Sequence, residues 1–392
     1  MKKIIVLVLS LVLVMSLTAC QTKDVDKEVV QDVAGNVEQA ANNEESNKAF
    51  KIGIVTPTLS TSEDEFRAGA EMVEKYPDMV KHITLPENFN AELETGISQI
   101  LSLADDPDMK AIIVNSGQSG LLPAFEKIKE KRSDILTIAT MMDEPELMAK
   151  YIDLNFSTDW ERRGVTIPTK AKEMGAKTFI HYSFPTHLAK EAVAARKEAM
   201  EKTCKELGLE FVEIITPDPQ TGDGPAAMQQ FLREDIPRQI GKYGADTNIF
   251  GSNCPMYDVI LDEALKLKFT VAEQCCPTPT QAYPTVMNLE IEAEDLGNYD
   301  KINAMITEKA AEAEMTGRLS GWAMPSQIYV PKFEIELAKY IIENDLELNK
   351  DILNKQFLDD FSEKAMGIRA DFEPIDSNTD NYFMLILESI YY

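Results

Sequence analysis

Phe50-Lys51-Ile52-Gly53-Ile54-Val55 is a short apolar run that stops at Thr56-Pro57. Its β-branched residues and its length predict a buried strand rather than a helix, and the proline closes it. The pattern then changes period. Ser62–Tyr76 reads as a helix, with Ser62 as N-cap and Glu65 three residues on as its capping-box partner. Lys81–Leu85 reads as a second strand, Asn90–Ala104 as a helix with Leu93, Ile97, Ile100 and Leu101 on one face, and Ala111–Val114 as a third strand running into Asn115-Ser116-Gly117. Leu122–Lys131 (helix) and Ile135–Ala139 (strand, followed by Thr140-Met141-Met142-Asp143) continue the alternation.

A second series repeats the pattern without repeating the sequence. Asp159–Met174 is predicted helical, with Pro168 inside it. Thr178–Tyr182, Glu210–Ile215, Thr247–Phe250 and Phe269–Glu273 are predicted strands. Between them lie helices at His187–Leu207, closed by Gly208, and at Pro225–Tyr243 and Met256–Leu267. Short apolar strands alternating with helices imply parallel sheets covered on both faces. The fold class expected is therefore α/β, with two Rossmann-like parallel-sheet lobes joined by a hinge. The first lobe is expected at 49–157, with about 322–345 returning to it, and the second at 158–321. Residues 346–392 are expected as a helical extension whose apolar end, Tyr382–Tyr392, packs on the body.

The N-terminus predicts location. Lys2 and Lys3 precede an apolar run, Ile4–Leu17, that ends in Leu17-Thr18-Ala19-Cys20. A basic start, a short apolar stretch and small residues form an export signal over residues 1–19. Residues 20–48 are polar and lack aromatics until the domain begins, as a solvated tether would be. The 392-residue chain carries 39 Lys+Arg against 66 Asp+Glu, a net charge of −27. So acidic a surface repels phosphate backbones and argues against nucleic acid as a partner.

Several local stretches carry a family resemblance. Ile52-Gly53-Ile54-Val55-Thr56, Ala111-Ile112-Ile113-Val114-Asn115-Ser116, Asp159-Trp160-Glu161-Arg162-Arg163-Gly164 and Asn248-Ile249-Phe250-Gly251-Ser252-Asn253 resemble, in that order, segments of the type I periplasmic-binding-protein group. Leu-x-Ala-Cys resembles the bacterial lipoprotein signal, which implies that Cys20 carries acyl chains such as palmitate. The resemblance spans roughly Phe50 to Asn344 and is nearest to a branch of bacterial lipoproteins. It implies a lipid-anchored, extracytoplasmic solute-binding protein working with the permease of an ABC transporter. The alternative is a surface ligand sensor signalling to a membrane receptor, and the third reading is an enzyme on the same fold. One departure argues against a sugar: Met142-Asp143-Glu144-Pro145 stands where sugar binders of the group carry an Asp-Arg pair.

In open parallel sheets, ligands bind beyond the carboxyl ends of the strands. That rule selects Thr56, Thr58, Ser116, Gly117 and Asp143 in the first series, and His181, Ser183, Phe184, Asn253 and Gln274 in the second. These are mostly neutral hydrogen-bonding groups, suited to a small polar ligand. No G-x-S-x-G, Walker A or H-E-x-x-H motif occurs, so no catalytic residue and no cofactor is expected. His181, His187, Cys254, Cys275 and Cys276 leave neighbouring strands at one edge, but their spacing matches no zinc pattern. No metal is therefore expected; a disulfide from Cys254 to Cys275 or Cys276, or between the adjacent pair, stays open. Trp160 and Trp322 fall in segments that pass between the lobes.

Overall fold

In β1 (Lys51–Thr56) every residue after Lys51 is buried, as a strand covered on both faces requires. The computed structural model describes residues 49–89, 91–115, 120–140, 145–219, 224–349 and 351–392. The expected signal segment and tether lie outside the described residues, as do Ser116, Gly117 and Asp143. The first sheet also contains β2 (Val80–Thr84), β3 (Met109–Val114), β4 (Leu136–Thr140) and β5 (Leu154–Thr158). The second is built on β6 (Thr178–Ser183), β7 (Glu210–Ile215) and β8 (Thr247–Gly251). Four short or late strands follow: β9 (Ser320–Trp322), β10 (Ala370–Pro374), β11 (Tyr382–Leu387) and β12 (Ser389–Tyr391).

The first sheet has the order β10-β11-β5-β4-β3-β1-β2, parallel throughout except for β10 against β11. Alternate residues serve opposite faces, as a period of two demands. Ile52, Ile54, Ala111 and Ile113 join a core with Phe333 and Phe372, whereas Val55, Ile112 and Val114 join one with Leu103 and Phe125. The second sheet runs β7-β6-β8 in parallel. Single bridges, Asn248 to Thr270 and Val271 to Leu319, carry it on toward the antiparallel β9–β12 pair.

Three connections join the sheets. β5 leads through Asp159 into the Arg163–Glu173 helix, β9 leads into the Ser326–Glu343 helix packed on the first sheet, and β11 leads through Glu388 into β12. The Arg163–Glu173 helix lies against Glu191–Leu207, where Gly164 permits close approach. A Cβ at Gly164 would meet the Arg196 carbonyl oxygen at 2.5 Å, so the glycine is there for clearance.

Some local expectations need correction. Ser62 is the N-cap by backbone geometry, but its side chain makes no capping bond and Glu65 is turned into the interior, so the capping box does not form. The helix expected at His187–Leu207 is two pieces, Pro185–Leu188 and Glu191–Leu207, because Lys190 is extended at ψ 126. Phe269–Glu273 contributes only two bridge residues. The 346–392 segment is not simply helical: after the Lys355–Met366 helix it supplies β10, β11 and β12. β11 completes the first sheet beside β5 because its apolar residues find parallel partners in Asn155, Phe156, Ser157 and Thr158.

Candidate functional site

The carboxyl ends of β6 and β8 lie side by side, and a polar cluster forms there. Ser183 Oγ and Ser252 Oγ are 2.7 Å apart, and Ser252 Oγ is 3.0 Å from His187 Nδ1. Both serines are fully buried and His187 is half-buried, its ring stacked on Phe184 at 5.1 Å. Burial holds the His187 imidazole below its ordinary pKa. Asn253, half-buried, follows directly.

The sequence-selected residues divide here. Ser183 and Asn253 sit at this edge. Phe184 is buried in the second-lobe core. His181 is 1% exposed, stacked near Phe211 and Phe250, with neither ring nitrogen partnered among the described residues. Desolvation lowers its pKa to about 3, so it is a neutral interior group that does not titrate in the physiological range. Gln274 is fully buried and donates Nε2–H to the Gln281 carbonyl at 3.2 Å.

On the first sheet, Thr56 is buried at the end of β1 and bonds the Pro57 carbonyl (2.9 Å) and His82 Nε2 (2.7 Å). Thr58 is held by Ser60 and Thr61 in an exposed hydroxyl cluster, at 2.9 and 3.0 Å. Asn115 beyond β3 is sealed: its Nδ2 donates to Thr140 Oγ1 at 3.0 Å and to Glu334 Oε2 at 2.6 Å. Two surface depressions lie away from these strand ends. One, of about 570 Å³, is lined by Lys202, Lys205 and Phe211; the other, of about 730 Å³, lies by Lys51, Glu74 and Lys81, at the amino ends of β1 and β2. Neither position is where a parallel sheet binds ligand.

Between the lobes sits a residue whose role the sequence did not reveal. Arg163 is fully buried, and its Nη2 lies 3.1 Å from Glu273 Oε2. Nη1 donates to the Cys275 carbonyl at 2.6 Å and Nη2 to the Gln274 carbonyl at 2.7 Å. The rings of Trp160 and Trp322 lie 5.3 and 5.1 Å from its guanidinium carbon. Ser389 donates to the other oxygen of Glu273. One ion pair thus touches all three connections: Arg163 on the first, Trp322 on the second and Ser389 on the third.

Beside it are three thiols. Cys254, Cys275 and Cys276 have their sulfurs within 4.8 Å of one another, with Cys254 Sγ and Cys276 Sγ 3.1 Å apart. Hydrogen bonds from Cys254 and Cys276, helped by Arg196 and Arg163, hold the Cys275 thiol well below its ordinary range, against the opposing effect of burial.

A family model described as "Protein of unknown function (DUF3798)" matches residues 50–320. The chain belongs to the DUF3798 family. Within reach of this DUF3798 chain is a crystal structure from Clostridium difficile 630 described as a putative transcriptional regulator. It is 40% identical, with a TM-score of 0.86 over 88% of this chain and 100% of that one. A protein of Treponema pallidum (strain Nichols), described as uncharacterized, is 38% identical over 178 residues, which is 43% of this chain and 80% of its own length. A solute-binding protein of an ABC transporter from Bradyrhizobium sp. BTAi1, crystallised with bis-tris, is 12% identical with a TM-score of 0.51, covering 89% of this chain and 84% of that one. That likeness shows the fold: mixed α/β, of the periplasmic-binding-protein type. Among the described residues, no helix is long and apolar enough to cross a membrane.

Proposed function

We propose that this chain is an extracytoplasmic solute-binding protein that captures a small polar molecule between its two sheets and delivers it to a transporter permease. The observation that carries this is the meeting of the connections between the two sheets. Three connections converge on the Arg163–Glu273 pair, while the carboxyl ends of parallel strands on either side carry neutral hydrogen-bonding groups. A ligand that touches both lobes favours the state in which they close on it. Ser183, Ser252, His187 and Asn253 would read it from the second lobe. Thr58 would read it from the first; Ser116, Gly117 and Asp143, which lie outside the described residues, are the further first-lobe candidates that the strand-end rule selects. Lipid on Cys20 would hold the domain at the membrane, with 20–48 as the tether.

The Clostridium difficile relative is described as a transcriptional regulator, which favours a second reading in which ligand occupancy drives a response rather than transport; for a chain held outside the membrane that is a surface sensor signalling to a membrane receptor. The net charge of −27 works against direct contact with nucleic acid.

The test starts from cells. Wild-type chain should fractionate with membranes and Cys20→Ala without them, and mass spectrometry after mild denaturation should reveal a co-purified small polar compound. Titrated calorimetrically with that compound, Ser183→Ala and Asn253→Ala should each bind about 3- to 30-fold more weakly, the loss of one hydrogen bond apiece together with the cost of the buried partner left unsatisfied. Unchanged affinity in both, with intact folding, would place the ligand elsewhere.

A further inference from the structure

The geometry points to Cys254, Cys275 and Cys276 as a three-thiolate site for a soft metal ion, with Cu(I) the best match. The assignment goes beyond solute binding and does not depend on it.

The site is made by two chain segments. Cys254 opens the short turn Cys254–Met256 just after β8, and Cys275-Cys276 lie in a bend after Glu273. Adjacent residues in a strand point their side chains to opposite faces. The bend instead lets both sulfurs of the adjacent pair meet that of Cys254, all within 4.8 Å. Three sulfurs around one ion, at metal–sulfur bonds of roughly 2.3 Å, stand about 4 Å apart; the cluster lies within that reach, and the Cys254–Cys276 pair, at 3.1 Å, would open by about 1 Å on ligation. Cys275 is 9% exposed, and its Sγ is held 3.1 Å from the Ser252 carbonyl; Cys254 and Cys276 are half-buried, so an ion can reach the cluster.

Arg196 supplies an independent observation. It is 3% exposed, and its Nη1 and Nη2 lie 4.0 and 3.9 Å from Cys275 Sγ. Among the described residues no carboxylate pairs with it and its Nε has no hydrogen-bond partner; the face of Phe250 lies 5.2 Å from its guanidinium carbon. A buried guanidinium without a counter-ion is costly, and an anionic sulfur cluster is the negative charge available to it. Thiolate donors select soft cations. Three of them leave a monovalent ion with excess negative charge, which Arg196 partly offsets. Ligation replaces the S–H protons, which pass to solvent, and no electron is transferred.

The test uses full-length chain, reduced and kept anaerobic, titrated with Cu(I) alone or Zn(II) alone against a chromogenic chelator and read by native mass spectrometry. One Cu(I) per chain is expected, with X-ray absorption showing a shell of sulfur neighbours. Cys254→Ser and Cys276→Ser, at the half-buried positions, should each weaken binding by at least about tenfold, and Arg196→Met by about tenfold. Cys20→Ser and Cys204→Ser should leave it unchanged. The assignment falls if the reduced chain takes up no Cu(I) at one equivalent. It also falls if Cys254→Ser and Cys276→Ser bind as wild type, if the shell is nitrogen and oxygen, or if Zn(II) is preferred.

Discussion

Replacing Arg163 by Ala should lower the unfolding free energy by about 3–5 kcal/mol, because it leaves a fully buried carboxylate without its cation. Glu273 is 1% exposed, and the described residues offer it Arg163 and Ser389 as partners. The same truncation frees the carbonyls of Gln274 and Cys275, each of which loses a short charged hydrogen bond. It also opens a space between the Trp160 and Trp322 rings. A buried ion pair is weak evidence of net stabilisation, since well-packed apolar residues often serve as well. The double variant Arg163→Met with Glu273→Gln should therefore recover part of the loss. Denaturant unfolding of the two single variants and the double variant forms a cycle that isolates the coupling. A loss under about 1 kcal/mol in Arg163→Ala would mean that water reaches Glu273 and that the pair does not hold the connections.

Much of this frame can be read from local pattern. β1 and β3 are nearly continuous apolar runs, and β4, β6 and β8 each keep an adjacent apolar pair at their centre (Ile138-Ala139, Phe179-Ile180, Ile249-Phe250), as strands covered on both faces require. β5 is less legible because no two apolar residues are adjacent in Leu154-Asn155-Phe156-Ser157-Thr158; its Asn155 is nonetheless 1% exposed. β11 was legible as apolar but not as a strand of the first sheet, since its parallel partner lies more than two hundred residues earlier in the chain. The site follows the same division. The strand-end rule selects Ser183 and Asn253, which lie at the carboxyl edge of the second sheet, and also His181 and Phe184, which are packed in the interior because a strand residue adjacent to the edge can point inward. Ser252 and His187 were visible in sequence; their contact was not. Arg163 stood in a quoted motif, yet its partner Glu273 is 110 positions away, and no spacing rule links them. The thiols could be placed at one edge from strand order. Their convergence depends on the bend at Cys275-Cys276, which no ligand-spacing pattern encodes.

Glu334 gives the second large effect, and it depends on pH. The carboxyl is fully buried on the Ser326–Glu343 helix, where it accepts from Asn115 and Thr140 at the carboxyl ends of β3 and β4. Burial raises its pKa from 4.5 to about 8; the two hydrogen bonds oppose the rise, and the nearby Glu65 adds to it. A folded-state pKa above the unfolded value means that the native chain holds the extra proton between the two. Stability contributed by the protonated acid is therefore fully present below about pH 4.5 and is lost as pH rises toward 8. Thr140 can serve either state, since its hydroxyl donates to the carboxylate and accepts from the acid. Glu334→Gln keeps the volume and a donor but cannot ionise. Measured by denaturant unfolding at a series of pH values, the variant should gain on wild type by roughly 3–5 kcal/mol between pH 4.5 and 8, at about 1.4 kcal/mol per pKa unit. Because all other titrating groups are common to both chains, the difference curve isolates this one. A flat difference across that window would show that Glu334 ionises normally, and hence that water penetrates the ends of β3 and β4 beneath Asn115.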